Sequence, residues 1–164
     1  MPFVPSPRLT NLGLFLATVT AMLFALWLQH YMHLEPCPLC IFQRVAMMAT
    51  GAITLVAFLH GPTGIARRVY AGLTLLATVG GITVAGRHVW LQNLPPDQVP
   101  SCGPGLDYWM DTFPLQEVIN KVFHGSGECA EIDAAFLGIT LPGWTLVVFV
   151  VLAAVAVWQL LRRD

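Results

Sequence analysis

The chain has 164 residues, 56% of them hydrophobic and only 10% charged, with a formal net charge of −1. Soluble domains carry about 25% charged residues, so this chain lacks the side chains needed to cover a core in water. The near-zero charge offers no basic patch for nucleic acid, and the composition points to an integral membrane protein.

Four apolar runs follow in chain order. Leu9 to Leu28 is the first. Arg8 before it would suit a signal peptide, but the run is long for one and no small-x-small cleavage pattern follows in ALWLQHYMHLEPC. It reads as a retained helix. Ile41 to Leu59 is the second, and the third runs from Val69 through Ala85 to about residue 89. The fourth starts at Gly143 or Trp144 and ends at Leu161. Each has roughly the 17–25 residues that span about 30 Å of hydrocarbon. The expected fold is therefore all-α: an antiparallel bundle of four transmembrane helices in a single domain, residues 1–164, with outer connections near 29–40 and 90–142.

Basic residues orient the bundle. Arg8, Arg67, Arg68, Arg162 and Arg163 all fall on one side of four spans, which the positive-inside rule assigns to the cytoplasm. Arg44, Arg87 and Lys121 lie toward the other side and are outnumbered. Both termini are expected in the cytoplasm. Cys37 and Cys40 then fall in the first outer connection, and Cys102 and Cys129 in the long outer loop. On that side thiols can form disulfides.

Three chemistries compete for these cysteines. Two inert disulfides could staple the outer loops. Zinc would want two closely spaced pairs, but the second pair is split between SCGPG and GECAE, so no metal is expected. A CxxC closes too small a ring to be a good staple, and its sulfurs are placed to make and break a bond; thiol–disulfide exchange is the favoured reading. Pro36 and Pro38 suit a helix entry, which puts Cys40 at the positive end of a helix dipole. Arg44, four residues on, shares its helix face. Both favour a thiolate at Cys40, while Cys37 is the accessible sulfur. Arg44 could also be a snorkelling anchor.

A dithiol at the lipid boundary needs an electron acceptor. There is no phosphate-cradling motif, no CxxCH and no flavin fingerprint. A lipid-dissolved quinone could reach Cys40 and take a polar contact from Arg44. GRHVW puts Arg87 and His88 at the outer end of the third helix, near the depth of Arg44. In the long loop, DTFPLQEVINKVF carries Leu115, Val118, Ile119, Val122 and Phe123 at helical spacing. That predicts a short amphipathic helix lying on the membrane surface, with ordinary packing on the bundle as the alternative.

Taken in order, ALWLQH, CPLCIFQR, GRHVW, SCGPG, GECAE and FLGITLPGW resemble the DsbB family over nearly the whole chain. The resemblance implies an inner-membrane protein of Gram-negative bacteria that reoxidises the periplasmic thiol oxidase DsbA and passes the electrons to the membrane quinone pool, as ubiquinone or menaquinone. It implies that Cys37 and Cys40 are the quinone-proximal pair, with Cys40 meeting the quinone, Arg44 beside it and His88 near the ring. It also implies that Cys102 forms the mixed disulfide with DsbA and that Cys129 exchanges with Cys37. Gln43 departs from the pattern, since the best-known member has an acid there. The alternatives are a structural membrane protein with inert disulfides and a vitamin K epoxide reductase-like quinone reductase with another thiol partner. DsbA is known to lie near about −120 mV, so its reoxidation needs an acceptor at or above that potential; ubiquinone meets that with more driving force than menaquinone.

Overall fold

The computed structural model describes residues 6–101, 106–132 and 134–162. Cys102, Asp133 and Arg163 fall outside these ranges. Among the described residues, four helices are long and apolar enough to cross a membrane: α1 (Pro7–Tyr31), α2 (Pro38–His60), α3 (Gly64–Gln92) and α7 (Leu141–Leu161). The outer loop between α3 and α7 adds α4 (Leu106–Thr112), α5 (Leu115–His124), α6 (Gly127–Ala130) and a hairpin of β1 (Ala135–Phe136) with β2 (Ile139–Thr140). Only α5 is foreshadowed by periodicity; the other pieces are too short to carry one.

Local chemistry fixes the helix ends. Ser6 caps α1, its hydroxyl accepting from the Leu9 amide at 3.3 Å, and Pro7 occupies the first turn. Pro38 does the same for α2, which therefore starts three residues before the apolar run and takes Cys40 into its first turn. At the far end of α2, Gly61 turns left-handed (φ 60°), and its amide returns to the Ala57 carbonyl. Arg8 donates to the Phe58 carbonyl at 3.0 Å, and Arg67 to the Arg162 carbonyl at 2.6 Å. These guanidiniums sit at the carbonyl ends of α2 and α7, where the helix dipole favours a cation.

Neighbouring helices pack as α1 on α2, α2 on α3 and α3 on α7. α3 and α7 approach closely at Gly81, where a Cβ would collide with the ring of the fully buried Phe149. Threonines inside the bundle, among them Thr54 and Thr78, turn their hydroxyls back onto carbonyls of their own helix at 2.9 Å, so no polar group is left unpaired at these positions. Outward, Leu23, Val56, Leu76 and Val151 are each at least half exposed, a surface suited to lipid and not to water.

The outer loop folds down as a cap. Val118 and Val122 of α5 are fully buried in a cluster with Leu39, Leu91, Trp109 and Cys129. The apolar stripe of α5 thus packs onto the bundle, while Leu115 stays 63% exposed at its start.

Candidate active site

The outer ends of α2 and α3 and the short α6 converge on three sulfurs. Cys37 is the residue before α2, Cys40 lies in its first turn, and Cys129 on α6 is completely buried. All three are free thiols, the reduced arrangement. Cys37 Sγ is 3.2 Å from Cys40 Sγ. Cys37 Sγ, Cys129 Sγ and a ring nitrogen of His88 lie within 4.8 Å of one another. Residues 92 apart in sequence are thereby brought to exchange distance. The placement of Cys102 is not described, but the Gly127 amide donates to the Ser101 carbonyl at 3.4 Å, tying α6 to the residue just before it.

The two cysteines of the CxxC face different media. Cys40 lines a cavity of about 720 Å³ between α1, α2 and α7, walled by Ala25, Leu28, Met47, Val148 and Leu152 and carrying Gln29, Glu35, Gln43 and Arg44 among its polar groups. Cys37 instead lines a groove of about 540 Å³ with His33, Glu35, Asp107, Glu128 and Glu131. One sulfur therefore opens to a largely apolar chamber and the other to an acidic groove, with Glu35 at the edge of both.

Arg44 faces the chamber one turn below Cys40, where Gln29 accepts from one guanidinium nitrogen at 2.5 Å and the Ala25 carbonyl from another at 3.3 Å. Its fork is held against α1 and does more than reach for the interface. His88 is 2% exposed and sits behind the sulfurs, outside the chamber lining. Its ring nitrogens are 3.8 Å from Cys37 Sγ and 3.9 Å from Cys40 Sγ. The Gln43 carboxamide nitrogen donates to Nδ1 at 3.0 Å, which leaves the hydrogen on Nε2, facing Cys37. Gln43 is thus a residue whose part sequence reasoning missed; its position beside Arg44 showed it, but not the contact 45 residues away. Arg87 is turned the other way. It donates to the Phe123 and His124 carbonyls at 2.9 and 3.0 Å and stacks 4.1 Å over Trp90, so it holds the end of α5 and not a chamber ligand.

Charge at the exposed edge of the site is suppressed. The hydrogen bond from Cys129 favours a Cys37 thiolate, but the Cys40 sulfur beside it and burial outweigh it and push the Cys37 thiol up to about 12. Cys129 is pushed up as well, chiefly because Cys37 takes the hydrogen bond and then through burial. Both rest as neutral thiols at neutral pH.

Sulfurs so closely grouped, yet unequal in environment, are arranged to pass electrons and not to staple loops, which defines a membrane thiol–disulfide oxidoreductase. Comparison with known proteins gives the family. Residues 7–159 match the model for disulfide bond formation protein DsbB. Relatives named disulfide bond formation protein B occur in Acinetobacter baylyi (58% identity, covering 92% of this chain and 88% of the relative) and Acinetobacter baumannii (56%, 96% and 92%). A third, from Saccharophagus degradans, is 49% identical over 98% of this chain and 96% of its own. The chain belongs to the DsbB family of disulfide-generating membrane proteins, which is linked to quinone and to DsbA-type partners.

Proposed function

We propose that the chain oxidises the dithiol of a DsbA-like periplasmic thiol oxidase and delivers both electrons to ubiquinone in the bacterial inner membrane. The observation that carries this reading is the division of the CxxC, with Cys37 beside Cys129 and the acidic groove and Cys40 in the largely apolar chamber. Both termini lie in the cytoplasm and the cysteines in the periplasm, an orientation that the arginines at the opposite end support.

The chamber suits a quinone. Its walls are hydrocarbon, it opens among lipid-facing helices, and Arg44 presents N–H donors beside Cys40. A quinone bound there supplies the acceptor for two electrons and two protons. The steps belong to the chain's own sulfurs. A partner thiolate attacks Cys102 of a Cys102–Cys129 disulfide and forms a mixed disulfide, releasing the Cys129 thiolate. The partner's second thiol resolves that bond and leaves oxidised, with Cys102 reduced. The Cys129 thiolate attacks Cys37 of a Cys37–Cys40 disulfide, and Cys40 leaves as thiolate against the chamber. Cys102 then displaces Cys37 from Cys129, restoring the Cys102–Cys129 bond and leaving Cys37 and Cys40 reduced. His88 directs Nε2–H at Cys37 and so steadies the negative charge that reaches that sulfur.

Purified chain, reduced DsbA and ubiquinone in detergent test this directly. Quinone absorbance should fall in step with DsbA oxidation, and Cys40→Ala should stop the loss. Loss of quinone absorbance without DsbA, or DsbA oxidation that needs no quinone under anaerobic conditions, would overturn the reading.

A further inference from the structure

The cysteine spacing alone does not favour zinc, but a buried histidine joins two of the sulfurs. Cys37 Sγ, Cys129 Sγ and His88 come from three elements and converge within 4.8 Å, with His88 and Cys129 buried. A tetrahedral zinc with bonds of about 2.0 Å to nitrogen and 2.3 Å to sulfur holds those two atoms about 3.5 Å apart. Cys37 Sγ and His88 Nε2 are already 3.8 Å apart. We infer that the reduced chain binds one Zn²⁺ through Cys37, Cys129 and His88, and that the ion holds the enzyme off by occupying both sulfurs that must exchange.

Three features of the site fit that ion. Two thiolates and a neutral imidazole cancel the charge of Zn²⁺, so the complex enters a buried site without net charge. Binding releases one proton from each thiol and leaves the metal oxidation state unchanged. Gln43 supplies the orienting partner that metal-bound histidines commonly have. With its N–H₂ toward Nδ1, the imidazole hydrogen sits on Nε2; turned over, the carboxamide oxygen accepts from Nδ1–H, which keeps the Gln43–His88 hydrogen bond and presents the Nε2 lone pair to the metal. A carboxamide can serve both tautomers. Three protein ligands leave a fourth position open. Once the Cys37–Cys40 or Cys102–Cys129 disulfide forms, a ligand is removed, so binding is confined to the reduced chain.

The inhibitory consequence rests on the exchange proposed above; the binding does not. Reduced chain in detergent, without partner or quinone, is titrated with Zn²⁺ against a chromophoric chelator. One equivalent should bind to the reduced chain and none to the oxidised chain. His88→Ala and Cys129→Ser should each weaken binding by about 100-fold or more, and Gln43→Ala by about 10- to 100-fold, while Cys102→Ser leaves it unchanged. Co²⁺ added to the unaltered chain gives a readout that needs no variant: tetrahedral visible bands with a thiolate charge-transfer band. Equal binding to oxidised chain, affinity indifferent to His88→Ala, or a cobalt spectrum without thiolate would each overturn the site. If Zn²⁺ binds but oxidation of reduced DsbA proceeds at full rate on zinc-loaded enzyme, the inhibitory role is overturned.

Discussion

Arg44 carries the residue-scale logic of the site, because its charge and its shape serve different ends. The charge lies beside Cys40, and the planar fork is fixed by Gln29 and the Ala25 carbonyl. Lysine keeps the first and loses the second. Charge-assisted hydrogen bonds contribute about 1.5–3 kcal/mol, so Arg44→Ala should weaken apparent quinone affinity by about 10-fold or more, with Arg44→Lys intermediate. Steady-state oxidation of DsbA at varied quinone measures this, and the mixed-disulfide step at Cys102 should be unmoved. Cys37 gives a pH signature. Its raised value means that the folded reduced chain keeps this proton while the unfolded chain loses it at the ordinary thiol value. The stabilisation is thus complete below that ordinary value and is lost as pH rises toward about 12. Thermal unfolding of the reduced chain should drop from about pH 8 to about pH 10; the drop should shrink in Cys37→Ala and shrink further when Cys129 is replaced as well. Cys37, Cys40 and Arg44 were legible because spacing and helix phase place them within seven residues of each other. The Gln43–His88 contact was not, since it depends on how α2 meets α3.

Among the elements, α5 shows how a surface piece reaches the chemistry. Its periodicity was readable, but its destination was not, because an amphipathic stripe fits a membrane surface and a bundle end equally well. Burial of Val118 and Val122 against Leu39 and Cys129 decides it. Arg87 fastens the other end by taking two carbonyls at the α5 C-terminus. From sequence Arg87 stood only next to His88, near the depth of Arg44; adjacent helix positions point about 100° apart, which is why the two part company. Arg87→Ala should therefore cost about 2 kcal/mol of local stability in the cap. Hydrogen exchange across residues 115–124 should speed up, and Cys129-dependent exchange should slow. Quinone dependence should stay as in the unaltered chain; a shift there would place Arg87 at the chamber.

At the scale of the whole molecule, the bundle gives two neighbouring sulfurs different surroundings. The spans were legible because lipid demands runs of apolar residues whatever their partners; which helices enclose a chamber was not, since that follows from tertiary packing. α2 starts at Pro38, so Cys37 is left outside the helix, lining the acidic groove, and Cys40 is carried into the first turn, facing α1 and α7. A water-soluble protein and a lipid-soluble quinone can then be served by adjacent sulfurs without meeting. The same division should govern small reagents. In proteoliposomes of the reduced Cys102→Ser, Cys129→Ser chain, a charged, membrane-impermeant maleimide should modify Cys37 well ahead of Cys40. An apolar maleimide dissolved in the bilayer should reverse that order. Arg44→Ala should leave the first reagent's preference intact, because the acidic groove does not include Arg44. Peptide mapping of the labelled chain reads the ratio at both sites. If the two reagents gave the same ratio, the sulfurs would share one environment, and the separation of partner from quinone would have to arise elsewhere in the protein.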